Sequence, residues 1–136
     1  MATFGASSAA QLNTLDPLLQ AVLRRAVLIF DFSVLKGHRG KQEQNLAYSN
    51  GHSKKQFPDS THNSYPSRGV DIAPYPIDWR DTERFVYLAG VIKCVAWQLG
   101  IGIRWGGDWD GDTRLTEETF RDYGHFEIEE GIWLPQ

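Results

Sequence analysis

Cysteine is almost missing from this chain: of 136 residues only Cys94 carries a thiol, set among apolar neighbours. No internal disulfide can form, and a thiolate zinc site is impossible, so any metal must be held by nitrogen and oxygen. Blocks of positive charge are lacking too. With 14 Lys and Arg against 17 Asp and Glu the formal charge is −3, and without a basic stripe the electrostatic footprint of a nucleic-acid binder is missing. DNA and RNA are therefore not expected as partners. No apolar run approaches the length of a membrane span, so membrane insertion is not expected either. The N-terminal Met-Ala-Thr-Phe-Gly-Ala-Ser-Ser lacks both the basic start and the apolar centre of a secretion signal. The expectation is a chain made and folded in a cytoplasm, and released by something else if it works outside. Long low-complexity tracts are absent, and the length suits one folded domain over residues 1–136, acting as a monomer.

What is present is a readable series of elements. Asp16-Pro17 places an N-cap before a proline at the first helical position, and Leu18, Leu19, Val22, Leu23, Ala26 and Val27 recur at helical spacing. Phe30, Phe32 and Val34 alternate with polar residues as a half-buried strand closed by Gly37, which leaves His38 and Arg39 just past its end. A short helix from about Lys41 to Tyr48 is stopped by Asn50-Gly51, and a long polar loop runs from His52 to Ser67. Such loops within compact domains are usually functional or disordered. Residues 69–73 read as a short strand ended by Pro74. The longest helix follows, capped by Asp78 or Asp81, with Phe85, Leu88, Ile92, Val95, Ala96 and Leu99 on one face and Gly100 as its stop. Ile101, Ile103 and Trp105 form another strand, residues 106–112 an acidic turn-rich loop, and His125 opens a last strand. Strand pairs without regular helical crossovers predict an α+β fold with a small antiparallel sheet flanked by helices.

Zinc that does chemistry takes three His, Asp or Glu ligands and keeps one position open. His62 lies in the polar loop, Asp71 nine positions later inside the apolar run Val70-Asp71-Ile72-Ala73, and His125 at the start of the last strand. A carboxylate in such a run is costly to bury without a partner, and a metal is one such partner. Spacing alone also allows a paired or capping Asp71 and a solvated loop His62.

Four segments taken together narrow the choice. Ser60-Thr61-His62, then the run from Pro66 to Tyr75 with Arg68-Gly69-Val70-Asp71 at its centre, then Arg104-Trp105-Gly106-Gly107-Asp108-Trp109, and finally Asp122-Tyr123-Gly124-His125-Phe126-Glu127 follow one another in order. This series resembles the zinc D-Ala-D-Ala carboxypeptidase family, and more closely its phage branch, the L-alanyl-D-glutamate endopeptidases that serve as endolysins. The resemblance spans nearly the whole chain. It implies a Hedgehog/DD-peptidase-like α+β fold with no separate wall-binding domain, with zinc held by His62, Asp71 and His125 and with Asp122 as the general base. It further implies that Arg39, matching the family's Gly-x-Arg, faces the substrate carbonyl. Ser60 matches a position near the substrate, although a serine capping a turn serves equally. Glu127 points to the same strand face as His125; it either accepts a hydrogen bond from a histidine ring or rivals Asp122 as base. The implied partner is the bacterial peptidoglycan stem peptide, reached from the host cytoplasm after release. A D-Ala-D-Ala carboxypeptidase or dipeptidase, and a non-catalytic zinc module binding peptidoglycan, are the alternatives.

Asp108, Asp110 and Asp112 alternate as in a calcium loop, but no glycine follows the third acid and Glu117 and Glu118 stand in no assured register. Calcium and a solvated acidic turn both stay open. His38 and His52 are read as non-ligands, and Trp79, Trp97, Trp105, Trp109 and Trp133 as packing residues before substrate contacts. Three positions depart from the family pattern: Thr61 stands where lysine is common, Gly69 where alanine is common, and Gly40 where threonine is frequent.

Overall fold

In a computed structural model, residues 2–116 and 121–129 are described. Their order is α1 (Ala6–Leu12), α2 (Pro17–Ala26), β1 (Phe32–Lys36), α3 (Lys41–Ser49), a 3-10 turn (Thr61–Asn63), β2 (Gly69–Pro74), α4 (Thr82–Leu99), β3 (Ile103–Trp105) and β4 (His125–Ile128). The four strands form one sheet in the order β1-β2-β4-β3, with every neighbouring pair antiparallel. This is the expected α+β architecture.

The helices start and stop for local reasons. Asp16 Oδ1 accepts a hydrogen bond from Leu18 N at 2.8 Å, with Pro17 at the first position of α2. Of the two candidate caps for α4, the cap is Asp81, which accepts from Arg84 N; Asp78 instead accepts from Arg80 N in the preceding turn. Gly100, at φ 72°, ends α4 in the left-handed region that an L side chain resists.

Period-two alternation then sorts the sheet. Val70, Ile72 and Phe126 point into the core, where α2 and α4 supply Leu19, Val22, Leu23, Leu88 and Ile92. Asp71, His125 and Glu127, one step out of phase, face the other side of the sheet. The buried helical face thus compels the chemistry-bearing residues onto one surface. No helix among the described residues is long and apolar enough to cross a membrane.

Helix α1 has no counterpart in the sequence reading. It buries only Ser8 and Leu12, so its periodicity carries almost no apolar signal. Its role is polar: Ser8 Oγ accepts from Val34 N at 3.0 Å, Gln11 Oε1 from Gly37 N at 3.0 Å, and, just past the helix, Thr14 Oγ1 from His38 N at 2.9 Å. Backbone donors along the β1 edge are thereby satisfied instead of being offered to another chain. Trp133 lies outside the described residues, as do Glu117 and Glu118.

Asp16→Ala removes the cap of α2 and is expected to lower stability by about 1 kcal/mol. Chemical denaturation checks this; an unchanged midpoint would mean the cap contributes nothing.

Candidate active site and metal centre

Register decides which side chains meet. Asp71 pairs with His125 across β2 and β4, so two residues 54 positions apart bring Asp71 Oδ1 to 3.0 Å from His125 Nδ1. His62 arrives from the 3-10 turn, with its Nε2 at 3.2 Å from the same Asp71 oxygen. Ser60 Oγ caps that turn by accepting from His62 N, while Asn63 Oδ1 accepts from Ser60 N. Ser60 therefore does act as a turn cap, and it lines the cleft as well. Two nitrogens and one carboxylate oxygen lie within 4.8 Å of one another.

The opposite edges of both imidazoles are anchored. His62 Nδ1 donates to Gly37 O at 2.7 Å, and His125 Nε2 donates to Glu127 Oε1 at 2.8 Å. Glu127 is in turn held by Arg104 Nη2 at 2.6 Å. Anchoring one ring nitrogen fixes which nitrogen is turned to the donor set, the arrangement that metal-binding histidines require. Donor chemistry and orientation both fit a divalent ion of the zinc type.

Charge is concentrated at this point. Burial alone would raise the Asp71 carboxyl, but hydrogen bonds from His125 and His62, together with their charge, hold it well below the usual carboxylate range. Burial pulls His125 down, yet its bonds to Asp71 and Glu127 outweigh that and push the imidazole up to about 9. Burial likewise raises Glu127, but His125 and Arg104 bring it down to about 2. A cation taken at His125 Nδ1 must displace the proton held there.

Asp122 and Arg39 line the same cleft, a cavity of about 440 Å³. Burial in the cleft and then the charge of Asp71 push the Asp122 carboxyl above its ordinary value, against the pull of His125 and His62. Proton exchange near neutral pH benefits from such a shift. Arg39 Nη2 stands 3.7 Å from Asp71 Oδ2.

Gln44, which the sequence reading passed over, holds Arg39 in place. It is fully buried, and its amide is saturated. Oε1 accepts from Arg39 Nη1 at 3.0 Å and Asn63 Nδ2 at 3.1 Å, and Nε2 donates to Ser53 Oγ at 2.9 Å and Lys55 O at 2.6 Å. A polar residue in the first half of a surface-looking helix was the only available signal, and it is a weak one.

Thr61 and Gly69 stand against each other. A Cβ at Gly69 would collide with Thr61 Oγ1 and come within 3.2 Å of His125 Cε1. A side chain at 69 would therefore have to displace Thr61. The tryptophans divide. Trp105 is buried against Phe126 and Tyr123, Trp79 and Trp97 are exposed, and Trp109 lies in the cleft with its ring 5.8 Å from His125 and beneath Arg104. His38 bonds Ser64 O, and His52 lines the cleft; neither joins the donor set. Asp108, Asp110 and Asp112 form a second oxygen cluster.

A small α+β domain whose open sheet face carries two anchored imidazoles and a carboxylate, beside a further carboxylate in one cleft, has the frame of a hydrolase. The chain belongs to the phage L-alanyl-D-glutamate peptidase family, whose model matches residues 1–129. It is 35% identical over 135 residues to the L-alanyl-D-glutamate peptidase of Escherichia phage T5, covering 92% of this chain and 96% of that one. Its fold is similar to the crystal structure of the Serratia marcescens L-Ala D-Glu endopeptidase ChiX, with a TM-score of 0.76, 27% identity, and 93% of this chain and 89% of that one covered.

Gln44→Leu leaves Arg39, Asn63 and Ser53, all half-buried, short of a partner. A loss of about 2–4 kcal/mol is expected in chemical denaturation; an equally stable variant would show that water replaces the amide.

Proposed function

We propose that this chain is a peptidoglycan endopeptidase that hydrolyses the bond between L-alanine and D-glutamate in the stem peptide, with a divalent metal, zinc, held by His62, Asp71 and His125. The observation that carries the reading is the meeting of this donor set with Asp122 and Arg39 in one cleft, in a family described by that activity. Bound there, zinc supplies Lewis acidity, lowering the pKa of water towards about 7 and polarising a carbonyl. Asp122 takes the proton of the attacking water and passes it to the departing amine nitrogen of D-glutamate. The Arg39 guanidinium, steadied by Gln44, faces the carbonyl oxygen as negative charge develops on it, a contact that strengthens in the transition state. Glu127 keeps His125 oriented and is not the base, since both its oxygens are engaged by His125 and Arg104. The enzyme acts on the wall after release from the cell that makes it.

A second cation, calcium, is assigned to the acidic loop. Asp108 is buried with its Oδ1 lacking any hydrogen-bond partner, and Asp108, Asp110 and Asp112 each bring one carboxylate oxygen within 4.8 Å of the others. Burial, then the neighbouring acids, raise the Asp108 carboxyl despite a bond from Thr113 N, as like charges held close together do.

Digestion of purified peptidoglycan followed by mass spectrometry of new amino termini tests the activity: D-glutamate termini are expected, and release of free D-alanine instead would overturn the bond assignment. Chelation is expected to stop turnover and zinc to restore it. Asp122→Asn is expected to lower turnover at least about 100-fold while zinc content stays stoichiometric; normal cleavage by that variant would remove Asp122 as base. Millimolar calcium, unlike magnesium, is expected to raise the thermal midpoint of the wild type but not of Asp108→Asn, and an identical response from both proteins would dismiss the loop.

A further inference from the structure

The cleft carries positive charge that the metal site and the base do not use. Lys54 and Lys55 line it beside His52 and Ser53, and both lysines are exposed. Lys55 has no carboxylate partner among the described residues, whereas Lys36 pairs with Glu43 and Arg104 with Glu127. The protein as a whole is acidic, at −3, so two adjacent lysines in this cleft run against the general charge.

These lysines also stand on a firm support. His52 N and Ser53 N both donate to Ala47 O, at 2.8 and 3.1 Å. Lys55 N donates to Ser53 Oγ at 3.1 Å, and the buried Gln44 amide grips Ser53 Oγ and Lys55 O from below. Phe57 N closes the segment on Asn45 Oδ1 at 3.2 Å. Five hydrogen bonds to α3 hold the backbone of this loop and keep Lys54 and Lys55 in the lining of the cleft.

The chemistry of the substrate supplies the matching charge. D-Glutamate has two carboxyl groups beyond its amine, and a peptide can continue through only one of them. The other stays ionised a few bonds from the scissile amide. Asp71 and Glu127 are engaged by histidines and arginines, Arg39 is given to the carbonyl and Arg104 to Glu127, so an arriving carboxylate meets unfavourable charge mainly from Asp122 and is favoured by a further cation in the cleft.

We propose that Lys54 and Lys55 form a subsite for the free carboxylate of the D-glutamate residue, and so distinguish stem peptides that carry this acid from those that carry its amide. The assignment rests on the function proposed above and adds its selectivity. An ammonium on an exposed stem contributes through a charge-assisted bond of modest strength in water, enough for roughly a fivefold or greater preference.

The test separates binding from turnover. The probe is N-acetyl-L-alanyl-D-glutamate continued through its side-chain carboxyl to an alanine amide, so that one carboxylate is present; its counterpart carries that group as the amide. Kd for each is measured by NMR titration in an Asp122→Asn background, where the bond stays intact, for the chain otherwise wild type, for Lys54→Gln/Lys55→Gln, and for Arg24→Gln/Arg25→Gln, which removes the same charge from exposed positions on α2. The acid is expected to bind wild type and the α2 variant about fivefold or more tightly than the amide. In the lysine variant the two Kd values are expected to fall within twofold of each other, with amide binding unchanged. No preference in wild type, a preference that survives the lysine changes, or equal loss in the α2 variant would each overturn the subsite. Peptidoglycan digestion by the wild-type enzyme judges the proposed activity separately, because the Kd ratio needs no cleavage.

Discussion

The pairing of Asp71 with His125 across two central antiparallel strands is the contact on which the site depends. Neighbouring side chains on one face of such a pair are held a few ångströms apart by the backbone ladder itself, so a carboxylate and an imidazole from distant parts of the chain meet without any flexible reach. A slip of one residue would turn Asp71 into the core and Val70 or Ile72 out of it. The apolar residues packed against α2 and α4 therefore defend the site as well as the fold. Stability and chemistry share one constraint, the register of β2 and β4.

Around that contact the protein spends polar groups on orientation. Gly37 O and Glu127 each take one edge of a histidine, Arg104 steadies Glu127, and Gln44 steadies Arg39. Groups held in this way need little rearrangement when charge develops in a reaction, which is how a small domain obtains electrostatic stabilisation without a large interior. Burial makes such networks sensitive, because each partner removed strands another polar atom in a medium that cannot hydrate it. The coupled pair Thr61 and Gly69 shows how closely the walls are packed. Substitution at either position has to be read together with the other.

The chain itself announced its helices α2, α3 and α4, its four strands, and the separate positions of His62, Asp71 and His125, because alternation, caps and breakers are properties of neighbouring residues. It also carried four segments whose succession resembles the family to which the chain belongs. Helix α1 escaped notice since it covers an edge with Ser8 and Gln11 instead of burying an apolar stripe. Tertiary structure alone decided that Asp71 stands between two imidazoles, that Gln44 ties four segments together, that Arg104 serves Glu127, and that Lys54 and Lys55 share a cleft with His62, Asp71 and His125. Periodicity tells which face a side chain occupies, but the distance between residues tens of positions apart is set by strand register and by packed helices, and only the folded chain contains that information.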